Sequence, residues 1–214
     1  TGKDYASLLA VLKDEDFTDN KDLKLAKDVD VYVNGAAVKT TEAEAVVKAL
    51  MNDAKGGTTV ELYYNDDDKD VVDCVTILNY SIGQIKDVST KLTKDQKDDG
   101  ATSKIKVEGK WYLDNDVVGF DSKTYVEDAY VLYILKSTTE MSASQIAAEI
   151  TGKVTAIKGS DKATIDGTQY KYVKNAVTID VDDEGSFYLN VAGQIAAVDT
   201  DSKSDNYAFI YNLK

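Results

Sequence analysis

Short runs in which apolar and polar residues alternate recur along almost the whole chain, and a period of two marks a strand with one buried face. Val29-Asp30-Val31-Tyr32-Val33 shows it most clearly, ending in Asn34-Gly35, a pair that tolerates positive φ and turns a strand back on itself. The runs at 59–64 and 73–78 flank the acidic stretch Asn65-Asp66-Asp67-Asp68-Lys69-Asp70, which predicts a hairpin with a solvated loop. Further strands are expected at 104–107, 110–113, 129–135, 153–157, 163–166, 170–173, 177–181, 186–190, 194–198 and 207–213. Such density predicts a β-rich α+β fold, built as tandem small antiparallel β-barrel or sandwich modules with two short helices.

The helices are read from spacing. Residues 41–52 open on Thr41, an N-cap type, repeat Val46, Val47, Leu50 and Met51 on one face, and stop before Gly56-Gly57. Residues 142–149 repeat the scheme on a smaller scale, with Ser142 and Gln145 at capping-box spacing.

Internal similarity sets the expected organisation. Ile82-Gly83-Gln84-Ile85 resembles Thr151-Gly152-Lys153-Val154, and Ser103-Lys104-Ile105-Lys106-Val107-Glu108-Gly109 resembles Asp161-Lys162-Ala163-Thr164-Ile165-Asp166-Gly167. The tyrosine-containing runs at Tyr5, Tyr130 and Tyr207 also look alike, as though each closed a module. The expected modules are 1–80, with the helix near 41–52; 81–137; and 138–214, with the helix near 142–149. At 214 residues the chain has room for one large domain or two to three small ones.

Composition removes whole classes of function. The chain has no histidine, arginine or proline, so histidine-based triads and the common zinc and iron sites lose their usual base and ligand. With 25 lysines against 38 acids the net charge is −13, the wrong sign for nucleic acid or an anionic lipid surface. No run approaches the length of a membrane span, so no membrane insertion is expected. One cysteine, Cys74, cannot form an intramolecular disulfide and reads as a small apolar strand residue. Thr1-Gly2-Lys3 opens without the apolar region of a signal peptide, which predicts a cytosolic chain or a piece of a longer one.

Several runs together carry a family resemblance: Val31-Tyr32-Val33-Asn34-Gly35 followed by a short helix, the stretches 60–77 and 82–85, and the closing stretches 188–199 and 206–213. They resemble the repeat regions beside S-layer-homology domains in large surface proteins of Gram-positive anaerobes. The resemblance covers most of the chain at the level of strands and composition, while the anchoring S-layer-homology motifs are not in this sequence. It implies a non-enzymatic extracellular segment at the cell wall, serving structural spacing or assembly. The expected partners are other copies or segments of the surface protein, and cell-wall polysaccharide. The rival reading is a carbohydrate- or host-ligand-binding module of a surface adhesin.

Two sets of residues are candidate sites. Asp180, Asp182 and Glu184, in Asp180-Val181-Asp182-Asp183-Glu184-Gly185, imitate the first half of a calcium loop, with oxygen ligands at alternate positions and a glycine at the turn. Val191 stands where the bidentate glutamate belongs, and the flanks read as strand, so an acidic turn in water explains the pattern as well. No cofactor is expected, with calcium the one cation these loops would take. Trp111, Tyr112 and Tyr125 are candidates for stacking on a sugar, against the alternative that aromatics in strands pack across strands. With 38 acids, no carboxylate pair stands out as glycosidase machinery. Gly56-Gly57 lacks the lysine and hydroxyl of a phosphate loop.

Overall fold

The computed structural model describes residues 22–38, 55–64 and 70–200, and these form three sheets. The first contains β1 (Lys24–Val33), β2 (Ala36–Ala37), β3 (Thr58–Tyr64) and β4 (Val71–Asn79), in the order β2-β1-β4-β3. Asn34 and Gly35 both take positive φ, +51° and +81°, and close the β1/β2 hairpin as their sequence predicts. Val31 pairs with Val75 and Val33 with Ile77, and alternate residues Val29, Val31, Val75 and Ile77 turn inward onto Val72 and Leu23. The β1/β4 pair is parallel, a departure from the antiparallel rule that the other strand pairs follow. The chain between the two strands is long enough to allow the return that parallel pairing needs.

The second sheet contains β5 (Ser81–Ser89), β6 (Lys104–Val107), β7 (Lys110–Leu113), β8 (Tyr130–Leu135) and β9 (Met141–Ile146), in the order β7-β6-β5-β8-β9. The third contains β10 (Ala148–Lys158), β11 (Lys162–Ile165), β12 (Thr168–Lys171), β13 (Glu184–Leu189) and β14 (Ile195–Thr200), in the order β12-β11-β10-β13-β14. Substituting each strand of one sheet by the strand five places later gives the other. The details agree as well. Each long first strand carries a bulge against the next, after Ile85 and after Val154. Each following hairpin turns on an acid–glycine pair with both φ angles positive: Glu108-Gly109 and Asp166-Gly167. In each, a bridge ties the chain beyond the outer strand to the opposite edge: Val117 to Met141, and Tyr172 to Ile195.

Gly83 and Gly152 occupy matching positions two residues before the bulge, and close approach explains both. A Cβ on Gly83 would lie 2.8 Å from Val107 Cγ1, and one on Gly152 would lie 2.8 Å from Ile165 Cγ2. The first strand therefore folds tightly over the hairpin that follows it. Inside, Ile85, Ile105, Val107, Val131 and Met141 form one apolar cluster, and Val154, Ile165, Phe187 and Ile195 form its counterpart.

A fourth cluster joins the sheets. Leu132 of β8, Ala147 and Tyr188 of β13 are buried together, with Tyr80, Ile82, Tyr130, Val191 and Ala197 packed against them. The Tyr130 and Tyr188 rings stack at 4.1 Å. Backbone hydrogen bonds extend this seam to the first sheet: Gly56 N–H donates to Tyr80 O (3.0 Å), Tyr80 N–H to Gly57 O (2.8 Å), and Val191 N–H to Gly56 O (3.1 Å). Gly57, at φ +83°, lies so close to Val191 that a Cβ would sit 2.9 Å from its Cγ2.

Several expectations change. The helix expected at 142–149 is β9 and the start of β10: Ser142-Ala143-Ser144 is poor strand sequence, but the apolar β8 offers a ladder, pairing Tyr133 with Ser144 and Val131 with Ile146. The strand expected at 177–181 is an irregular segment whose Ile179 plugs the third core. The place of β8 in the third sheet is filled by β13. Tyr5, Tyr207 and the helix near 41–52 lie outside the described residues. One short helix, α1 (Lys94–Asp98), stands where none was read, started by a capping box in which Thr93 and Gln96 bond each other's backbone. Among the described residues no helix is long and apolar enough to cross a membrane.

Candidate functional site

Strand alternation separates the three aromatic candidates. On β7, Tyr112 points into the second core at 2% exposure and its neighbour Trp111 points out at 37%. Tyr125 is equally buried, its ring 5.2 Å from Phe120 and its hydroxyl 2.8 Å from Ser144 Oγ, which in turn donates to Val118 O (2.7 Å). Burial pushes the Tyr112 and Tyr125 hydroxyls above their ordinary range, the Ser144 hydrogen bond offsetting part of the rise at Tyr125. The three therefore do not form a common platform. Trp111 alone faces outward.

Its surroundings follow from the hairpin. A two-residue turn at Glu108-Gly109 pairs Val107 with Lys110, and this register sets Lys106 directly opposite Trp111, with Lys104 two residues along on the same face. The Lys104 ammonium lies 4.9 Å from the indole centroid and that of Lys106 5.8 Å. An exposed cation over an aromatic face is worth about 0.5–1 kcal/mol. Neither lysine is ion-paired among the described residues.

The acidic turn closes on itself. Asp180 N–H donates to Asp183 Oδ2 (2.8 Å) and Asp183 N–H to Asp180 O (3.3 Å). Asp182, at φ +77°, reaches Lys153 with Nζ···Oδ1 of 2.7 Å, and that hydrogen bond, followed by the Asp182 charge, raises the Lys153 pKa. Glu184 already belongs to β13, paired in register with Lys153. Asp180, Asp182 and Glu184 thus serve a turn and a strand, and the described residues contain no group of three carboxylates or thiols placed to hold a metal. Asp114 is likewise structural: burial works to raise its pKa, but hydrogen bonds from Thr102 and Ser103 outweigh it and hold the carboxyl below its usual range.

An open cleft of about 630 Å³ lies against the seam. Its walls mix Lys55 and Lys86 with Glu108, Asp183 and Asp199, and Tyr130 forms part of its floor. Both signs of charge in one open groove favour no single ionic ligand.

Two features escaped the sequence reading. The lysine pair beside Trp111 was encoded in the Lys-Ile-Lys alternation and the acid–glycine turn, which together fix the cross-strand register. Asn190 had no such signal: it is 5% exposed, its Oδ1 accepts from Ala192 N–H (3.0 Å) and Gln194 N–H (2.9 Å), and its Nδ2 reaches Lys55 O (3.4 Å), a partner 135 residues away in sequence. The chain matches no family model, no curated protein and no solved structure.

Proposed function

We propose that this chain is a non-enzymatic segment of a bacterial cell-surface protein of the S-layer kind, in which small β modules in series space or stiffen the envelope. The observation that carries the reading is the shared strand order of the second and third sheets, joined along a packed apolar seam. Related modules that pack on one another along a shared seam make a stiff body, and adding modules enlarges it. A spacer needs that property and needs no reaction centre. Its place is outside the cell at the wall, and its partners are other copies or segments of the same surface protein. Calcium is not required for this role.

Labelling intact source cells with an antibody raised against residues 81–200 tests the reading. Surface staining, removed by protease treatment of whole cells, is the expected result; antigen confined to the cytosol after fractionation overturns it. The second reading, a ligand-binding module of a surface adhesin, is favoured by one observation: Trp111 is exposed beneath two lysine ammonium groups, neither of them ion-paired among the described residues.

A further inference from the structure

We infer that the outer face of the β6/β7 hairpin, formed by Trp111, Lys104 and Lys106, is a binding site for an acidic glycan, a polysaccharide bearing carboxylate or phosphate groups. The third sheet provides an internal control. Its hairpin has the same turn and register, and the positions of Lys106 and Trp111 are held there by Thr164 and Gln169, again directly paired. The fold accordingly builds this hairpin without an indole, while Lys162 and Lys171, directly paired, put two ammonium groups on the same face. The Trp–Lys cluster is something the second sheet adds.

What it adds is an indole that gathers two ammonium groups, those of Lys104 and Lys106, on a chain of net charge −13, with Asp87 of β5 directly paired with Lys106 on its other side. Two ammonium groups above one ring repel each other, and the negative face of the indole offsets that repulsion and keeps both near it. The pair is set out in advance for a ligand with closely spaced negative charges, so little ordering is required on binding. As the ammoniums move onto the anion, they uncover an indole face that packs against the C–H face of a sugar ring. An acidic peptide would satisfy the charges but offers no matching ring.

The inference goes beyond the spacer reading and does not depend on it. Trp111 is the single tryptophan, so its emission reports on this site alone. Titrating the full chain in dilute buffer with polygalacturonate should give a saturable change in fluorescence, and dextran should give none. The change should vanish in about 1 M salt, where the Debye length is about 3 Å. Lys106→Thr, the residue found in the third sheet, should bind about tenfold more weakly, the worth of one charge-assisted hydrogen bond, while its circular dichroism stays unchanged. For Trp111→Gln, binding is followed by calorimetry and should weaken comparably.

No response to polygalacturonate overturns the proposal, as does equal binding by Lys106→Thr. Equal affinity for poly-glutamate would assign the site to an acidic polypeptide, and a fluorescence change on raising the protein concentration alone would assign it to a second copy. Either result also overturns the glycan assignment. Surface staining of cells is unaffected by all of these outcomes, so the two proposals fail separately.

Discussion

Removing the Tyr188 ring should loosen two sheets at once, although the residue belongs to only one of them. Tyr188 is 9% exposed, stacks on Tyr130 at 4.1 Å and covers Leu132 and Ala147. Truncating a buried aromatic to alanine costs about 3–5 kcal/mol. Of this, about 0.5–1.5 kcal/mol belongs to the ring–ring contact, separable by a cycle of Tyr130→Ala, Tyr188→Ala and the double variant. Against a total stability of about 5–15 kcal/mol, such a loss is large, and for a chain of this size each kcal/mol lowers the melting temperature by about 2–4 °C. The melting point should therefore fall by about 6–20 °C. The informative assay is urea unfolding of Tyr188→Ala followed in parallel by far-ultraviolet circular dichroism and by emission from Trp111, which sits in the second sheet. If the seam couples the sheets, both midpoints move down together. A Trp111 midpoint that stays at the wild-type value while the dichroism shifts would show that the second sheet is indifferent to the third, and the seam argument would be refuted.

Other outcomes follow from single sites. Gly83→Ala places a methyl within 2.8 Å of Val107 Cγ1 and should cost about 1–3 kcal/mol in chemical denaturation, while Gly109→Ala, with open space but φ +79°, should cost about 1 kcal/mol; equal effects would contradict the close-approach argument. Burial, then Tyr112 and Glu108, raise the Tyr133 pKa to about 12 from 10.0, so the folded state holds this proton more tightly. Stability should be full below about pH 10 and decline towards about pH 12, and Tyr133→Phe should flatten that decline in a pH series of thermal melts. The depressed Asp114 carboxyl works in the opposite direction, contributing stability above its ordinary pKa of 3.8 that is lost as pH falls through the lower folded value; Asp114→Asn should lose about 1 kcal/mol or more at neutral pH and show a weaker acid dependence.

Much of the hairpin architecture was legible because it depends on local chemistry. Asn34-Gly35 and the two acid–glycine turns specify positive φ at adjacent residues, and turn length then fixes register. The likeness between the Gly83 and Gly152 stretches was visible too, although why glycine is required there needed the approach of Val107 and Ile165. Long-range pairing was where the reading failed. Ser142-Ala143-Ser144-Gln145 has helical spacing, and what makes it a strand is β8, which its own sequence does not encode. Residues 177–181 alternate as a strand does, yet they have no strand partner among the described residues and contribute Ile179 to a core instead. The aromatic candidates show the same limit: Trp111 and Tyr112 were grouped as stacking candidates, yet adjacent strand residues face opposite ways, and which of them faced inward depended on the core formed by Ile105 and Val107.

The central claim is that the three sheets form one joined body rather than beads on a string. It stands most directly on one amide that crosses between sheets, that of Val191, which donates to Gly56 O; the amides of Gly56 and Tyr80 continue the β3/β4 ladder. Native-state hydrogen exchange, read residue by residue, measures its opening free energy. One joined body predicts that the Val191 amide exchanges as slowly as those of Tyr80, Ile85 and Val154, whose partners lie in their own parts of the chain. Exchange of Val191 at the rate of an unfolded chain, with the other three still protected, would contradict it.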